Sequence, residues 1–442
     1  MYKEKFMDLF RQVPAGVWLL AFGLSVQFSP VLTFAIKGGG VICCIYGIGM
    51  LFCRSRFCKT GFGNAVATAL RENGGLFALL AVFYVIAVAA WFYAPYEISY
   101  NDIRHVWKKM ALNVVAIFIG MFLSRYPHFI KTFVLLCIPC ALFQTGLMSR
   151  VAATEGMEAR SFIGDSGAGG FLGAFTQWES VAMLAVMLFG LMMTMRQKVV
   201  KLVLAVLILF FAVNILRAGY ATPFALLLIG FGMIGLGYMR FGSSKRTNAA
   251  TKIAISALFV FSAAFVFFKV AKSAETGKMA SESVATRFYA FMLNPSGGGY
   301  DVEHSRFRAM YIAWDSFCKS PIFGRGGEYP SPRYDVSAGH HALVDYLGHY
   351  GLMGGGSYLL FVLLSMHYLF KRYKKTRDWF DCSKLAVSVM FFVGGVVNPG
   401  WLDLPMSCYL IFCAPFANKV AERAERMAAM SYLPPMHFSR SI

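Results

Sequence analysis

Uninterrupted apolar stretches, such as Val203 to Leu216 and Leu226 to Tyr238, alternate along this chain with short clusters of lysine and arginine. A block of about 15 to 22 apolar residues is long enough to cross the hydrocarbon layer of a bilayer as a helix. Inside that layer each backbone N–H and C=O must be satisfied within the protein, which only helices and closed barrels achieve. Spanning strands alternate polar and apolar residues, and these blocks show no period of two, so helices are implied. Of 442 residues 58% are hydrophobic and 14% charged, and the mean hydropathy is +0.58, too apolar for any water-soluble core to hide.

The blocks predict an all-α polytopic membrane protein with about 12 transmembrane helices. They fall near Val17–Phe34, Gly39–Phe52, Gly75–Trp91, Ala111–Leu123, Phe129–Leu147, Phe171–Met195, Val199–Leu216, Thr222–Tyr238, Ile253–Phe268, Tyr350–Phe370, Leu385–Val397 and Leu404–Ala417. The basic clusters, among them Arg54/Arg56/Lys59, Arg125/Lys131, Arg196/Lys198/Lys201 and Lys371 to Arg377, all follow an even number of helices. Positive segments resist translocation, so that side is expected to be the cytoplasm, with both termini on it. Residues 1–268 then hold helices one to nine, 269–349 a long outer loop, 350–418 helices ten to twelve, and 419–442 a cytoplasmic tail.

The net charge of +20 does not imply nucleic acid, because the charges lie between apolar blocks where topology explains them. Of the ten cysteines, Cys43, Cys44, Cys137, Cys140, Cys408 and Cys413 fall inside apolar blocks and read as small buried hydrophobes. Cys318 has no neighbouring cysteine in the outer loop, so no disulfide is expected there. The charged stretch Met1–Arg11 followed by a long apolar run reads as a retained first helix rather than a cleaved signal.

An outer loop of about 80 residues ordinarily has a function or a fold of its own. Within it, Ser305–Cys318 places Phe307, Met310, Tyr311, Trp314 and Phe317 near one face of a helix, and Pro321-Ile322-Phe323-Gly324-Arg325-Gly326-Gly327 ends it. A second helix is expected from about His340 into the membrane at Tyr350, interrupted by nothing stronger than Gly348.

Three kinds of residue in this arrangement carry chemistry. His340 and His341 open the second helix at the membrane surface, where a neutral imidazole accepts a proton from a hydroxyl at ordinary pH. Arg217 ends an apolar run, and a guanidinium at that boundary needs an anion such as phosphate, which its planar fork binds through two oxygens. Arg306 starts a helix, whose N-terminus also attracts anions; Arg308, Arg325 and Arg333 are weaker candidates. His341, Asp345 and His349 recur every four residues and raise zinc as a rival reading, but no further cluster completes a site, and no metal is expected. The glycine clusters lack the strand, loop and helix setting of a nucleotide site. Any transfer reaction must therefore draw on a substrate that is already activated, and a lipid diphosphate meets that need.

These residues resemble the O-antigen ligase and polymerase superfamily of bacterial envelope glycosyltransferases, whose helical membrane architecture is GT-C-like. Ser305-Arg306, then Ala313, then Pro321-Ile322-Phe323-Gly324-Arg325-Gly326, is similar to the family's Arg, helix, Pro-x-x-Gly-x-Gly segment. His340-His341-Ala342-Leu343-Val344-Asp345, closed by Tyr350-Gly351-Leu352-Met353-Gly354, is similar to its His-Asn-x-x-Leu-Asp approach to a membrane helix. Leu216-Arg217-Ala218 resembles its Ser-Arg-Gly/Ser step. Gly173 to Glu179 stands where many members have a Gly-x-Phe-x-Asn-Pro-Asn-like run, which brings in Gln177 and Glu179 as weaker substrate-binding candidates.

The resemblance implies a cofactor-free, metal-independent, inverting glycosyltransferase of the bacterial inner membrane with its site on the periplasmic side. Arg217 and Arg306 would hold the diphosphate of an undecaprenyl-diphosphate-linked O-antigen, and His340 would orient or deprotonate the incoming hydroxyl. The expected acceptor is lipid A-core oligosaccharide, as in a ligase. A polymerase using the same donor is the alternative within the family, and a lipid-linked glycan transporter without chemistry is the alternative outside it.

Overall fold

The apolar blocks fold as helices. The computed structural model describes residues 15–27, 34–54, 62–93, 129–155, 175–217, 221–241, 306–325 and 342–397. These residues are almost all helical: α1 (Ala15–Gln27), α2 (Phe34–Arg54), α3 (Phe62–Tyr93), α4 (Phe129–Glu155), α5 (Phe175–Thr194), α6 (Lys198–Arg217), α7 (Ala221–Phe241), α8 (Arg306–Lys319), α9 (Ala342–Gly351), a π turn at Leu352–Gly356, α10 (Ser357–Thr376) and α11 (Trp379–Val397). Asn73–Ala90, Lys198–Leu216, Ala342–Thr376 and Trp379–Val396 are long and apolar enough to cross a membrane, and three shorter apolar helices accompany them. The chain is a helical membrane protein by this measure. The helices expected near 111–123, 253–268 and 404–417 lie outside the described residues, as do 269–305 and 326–341 of the expected loop.

The centre of the bundle is α5. Every residue from Val181 to Leu188 is buried, and α4, α6, α7 and α11 pack around it. A helix that is apolar on all sides belongs in such a position. By contrast α6 exposes Val199, Leu202, Val206, Leu209 and Val213, a stripe at helical spacing suited to lipid.

The contacts also fix which helix ends share a side. A Cβ on Gly190, near the end of α5, would strike Ser383 near the start of α11, and one on Gly237, near the end of α7, would come within 2.9 Å of the Tyr373 hydroxyl near the end of α10. Lys131 at the start of α4 sits over the Phe380 ring at 5.7 Å. The clusters Lys131, Arg196/Lys198/Lys201 and Lys371 to Arg377 therefore crowd one end of the bundle. We call this the basic end.

At the basic end the sequence places the α10–α11 junction too late. The expected start near Leu385 is instead Trp379, because Asp378 caps the helix, accepting from Phe380 N–H at 3.0 Å. Arg377 just before it takes the left-handed conformation, φ 51°, that ends α10. Asp381 and Lys384, which look like loop charges, are consequently inside a helix and buried. They survive there by pairing: the Asp381 carboxylate meets Lys384 Nζ at 2.9 Å and Arg372 Nε at 3.0 Å, and accepts from the Thr376 hydroxyl at 2.9 Å. Burial and the neighbouring Asp381 charge raise the pKa of Asp378, against the pull of Lys131 and two backbone N–H groups.

Other boundaries shift for simple reasons. Phe34, the expected end of the first helix, is instead the first residue of α2, and 28–33 lie outside the described residues. Helix α4 continues to Glu155, past the expected end at Leu147. The third begins at Phe62, upstream of Gly75, and bends at Asn73 (φ −127°, ψ 22°), just where the apolar span starts.

Candidate functional site

Two segments singled out by their sequence, 306–325 and 342–353, meet in the structure. Helix α8 occupies the expected place, but its inner face is narrower than the aromatic spacing suggested. Ala313 and Ser316 are buried, whereas Trp314 is half-exposed. Those small residues permit a very close crossing with α9: a Cβ on Gly348 would lie 2.5 Å from the Ala313 carbonyl oxygen.

After α8 the chain turns sharply. Ser320 N–H donates to Ser316 O and Gly324 N–H to Ser320 O at 2.9 Å, while Pro321 contributes no donor. Gly324 then has φ +73°, and any Cβ there would collide with the backbone of His349. This turn is tied to α9 and the π turn through main-chain bonds. Arg325 N–H donates to Gly348 O at 3.0 Å, Leu352 N–H to Pro321 O at 2.8 Å, and Met353 N–H to Ile322 O at 3.0 Å.

The second helix is broken at Gly351, φ +61°, not weakened at Gly348 as its sequence suggests. A break inside an apolar segment frees backbone groups that lipid cannot satisfy. The 321–325 turn supplies acceptors for two of the donors and a donor for one of the acceptors. The bend it supports is large. The rings of Tyr346 and Tyr358 are 5.6 Å apart, whereas positions with that separation along a continuous helix would be about 18 Å apart. Gly355 accordingly rests against the backbone of Tyr346. Phe83 of α3 fills the corner, its ring 4.7 Å from Tyr358, 5.6 Å from Tyr346 and 5.8 Å from Tyr350. Sequence reading missed this aromatic corner, for which the recurring tyrosines were the available signal. The residues on both sides of the expected loop boundary at 349/350 belong to one helix, α9.

The remaining candidates distribute as follows. Arg217 is the last residue of α6, and Gln177 and Glu179 lie in the opening turns of α5. Helices α5 and α6 are packed neighbours of equal length joined at Met195–Gln197, so this hairpin brings Gln177, Glu179 and Arg217 to the end opposite the basic one. Glu179 is fully buried there. Arg306 and Arg308 are in the first turn of α8. Asp345 is buried in the first turn of α9, where the helix dipole favours a carboxylate, and Arg325 is partly buried beside Gly348. His340, His341 and Arg333 lie outside the described residues, and His340–His341 immediately precede α9. The start of α10 faces away from the basic end, so the π turn and α9 stand on the same side as Arg217. Helix α11 packs on both α5 and α9 and links the two groups.

Among the described residues no three His, Cys, Asp or Glu side chains are grouped to hold a metal ion. Asp345 and His349 are one turn apart on α9, and His341, the third member of the zinc alternative, falls outside that set. No family model matches the chain, and a comparison with curated proteins finds no match.

Proposed function

We propose that this chain is an inverting, metal-independent glycosyltransferase that moves O-antigen polysaccharide from undecaprenyl diphosphate to a sugar hydroxyl of lipid A-core oligosaccharide, an O-antigen ligase. On this reading it crosses the bacterial inner membrane about 12 times. The basic end and both termini are cytoplasmic, and the site opens to the periplasm under the 269–349 loop. The observation that carries the proposal is the backbone docking of Pro321–Arg325 onto Gly348–Met353. It joins the two segments whose residues resemble the family's arginine and histidine motifs, on the same side of the bundle as Arg217.

Each residue then has a task. Arg217 and Arg306 bind the donor diphosphate, with Arg308, Arg325 and Arg333 adding positive field around it. His340 orients the acceptor hydroxyl and accepts its proton as the oxygen attacks the anomeric carbon. The bond from that carbon to the diphosphate oxygen breaks, its electron pair leaves with undecaprenyl diphosphate, and the anomeric centre inverts. The guanidinium charges neutralise the leaving group, so the step calls for no divalent ion. Asp345, in the first turn of the helix that His340 and His341 precede in sequence, and His341, Gln177 and Glu179 are the weaker substrate-binding candidates.

The test is reconstitution of the purified protein with undecaprenyl-diphosphate-linked O-antigen and with lipid A-core supplied as acceptor. Glycan on lipid A-core supports the ligase. Longer carrier-linked glycan without transfer to core identifies a polymerase, and movement of intact donor across the bilayer with no new glycosidic bond identifies a transporter.

A further inference from the structure

The turn that docks on the broken helix carries its apolar side chains outward. Ile322 is 56% exposed and Leu352 57%, and Phe323, Met353 and Trp314 are each about half-exposed. Ile322 and Met353 are joined through the Met353–Ile322 backbone bond, and Leu352 through its bond to Pro321, so Ile322, Phe323, Leu352 and Met353 form one patch. That patch continues into the exposed Leu360 and Leu363 of α10, which lie on a segment apolar enough to span a membrane.

Depth along α10 says what covers the patch. The exposed Lys371, Lys374 and Lys375 mark the water boundary at the basic end. Counting back from Phe370, Met353 stands about 25 Å away along the helix, inside a hydrocarbon layer of about 30 Å. The docked turn must share that depth. Lys319, paired with Asp315, and Arg325 flank the apolar tip in sequence, and the half-exposed Trp314 lies on the helix that leads into it, the residue pattern of a segment seated at a lipid headgroup boundary.

We propose that Pro321–Phe323 is a membrane-inserted anchor: Ile322 and Phe323 enter the acyl region of the leaflet opposite the basic end and hold α8 down on the bilayer surface. The occupant of the patch is lipid hydrocarbon. The inference requires only that α10 crosses a bilayer and is independent of any transfer activity.

The experiment uses the full chain in proteoliposomes with a benzophenone amino acid placed singly, as Ile322→p-benzoylphenylalanine and Phe323→p-benzoylphenylalanine. Leu363 serves as the lipid-facing reference and Lys374 as the water-facing one, each variant being checked for monodispersity. Illumination is expected to give phospholipid adducts at 322 and 323 comparable with those at 363 and several-fold above those at 374. Adducts to another part of the same chain would show that a segment of this protein covers the patch and overturn the proposal. Adducts to a second copy, or lipid adducts no higher than at 374, would overturn it equally.

Discussion

Gly348 and Leu352 are separated by the interval at which a helix bonds its carbonyl to its amide, yet both reach out to the same turn: Gly348 O accepts from Arg325 N–H, and Leu352 N–H donates to Pro321 O. The turn thus splices itself into the main-chain ladder of a membrane-embedded helix. Because the bonds are between backbones, this joint tolerates many side chains but depends on Gly324, Gly348 and Gly351.

Gly348→Ala should therefore be costly. Its methyl group would press on the Ala313 carbonyl and push α8 off α9, a loss of about 1–3 kcal/mol typical of overpacking. Gly356→Ala meets nothing closer than 3.7 Å and should be neutral or stabilising by up to about 1 kcal/mol. Thermal unfolding of the two variants in the same detergent checks the contrast.

Asp381→Ala leaves the buried Lys384 and the nearly buried Arg372 without their shared carboxylate. A broken buried pair costs about 3–5 kcal/mol, and replacing Asp381 and Lys384 together by leucine and methionine should recover part of that. Equal melting temperatures for the single and double variants would argue against the pairing.

Asp378 gives a pH dependence whose sign can be worked out. Its folded pKa is raised, so the group favours folding below its unfolded value of 3.8 and that contribution is lost as pH rises through the raised folded value. Asp378→Asn keeps a good N-cap and removes the charge facing Asp381. It should raise the melting temperature at neutral pH, with the gain shrinking as the pH falls into the range where the parent aspartate is already protonated.

For the proposed transfer, Arg217→Lys should lower kcat/KM by about 10- to 100-fold, since a lysine keeps the charge but loses the paired hydrogen bonds. His340→Ala should lower kcat with little change in donor KM. Added chelator should leave the parent rate unchanged, and a chelator-sensitive enzyme would instead bring His341, Asp345 and His349 back as zinc ligands.

The helices were legible because apolar length is a strong signal: the Val199–Leu216 and Thr222–Tyr238 readings match α6 and α7 within a few residues. The junction before α11 was not, because Asp381 and Lys384 look solvated until Arg372 and each other's charges are placed beside them. The break at Gly351 was hidden for a related reason. The stretch 348–356 holds several glycines, and what selects one of them for a positive φ is the carbonyl pair of a turn far away in sequence. Of the candidate site, the order of the 306–325 and 342–353 segments was readable as motifs, whereas their docking rests on backbone bonds and the Phe83 corner that braces them depends on a third helix.

The spliced turn also imposes an order on biogenesis. The Leu352 and Met353 amides cannot remain bare in hydrocarbon, and the carbonyls that accept from them belong to Pro321 and Ile322, which leave the ribosome earlier. With the basic end cytoplasmic, as proposed, a translocating chain must have delivered the 321–324 turn to the far side before the 342–376 stretch moves laterally into lipid. Insertion machinery that released this stretch first would leave it as a straight, overlong helix with no corner in it.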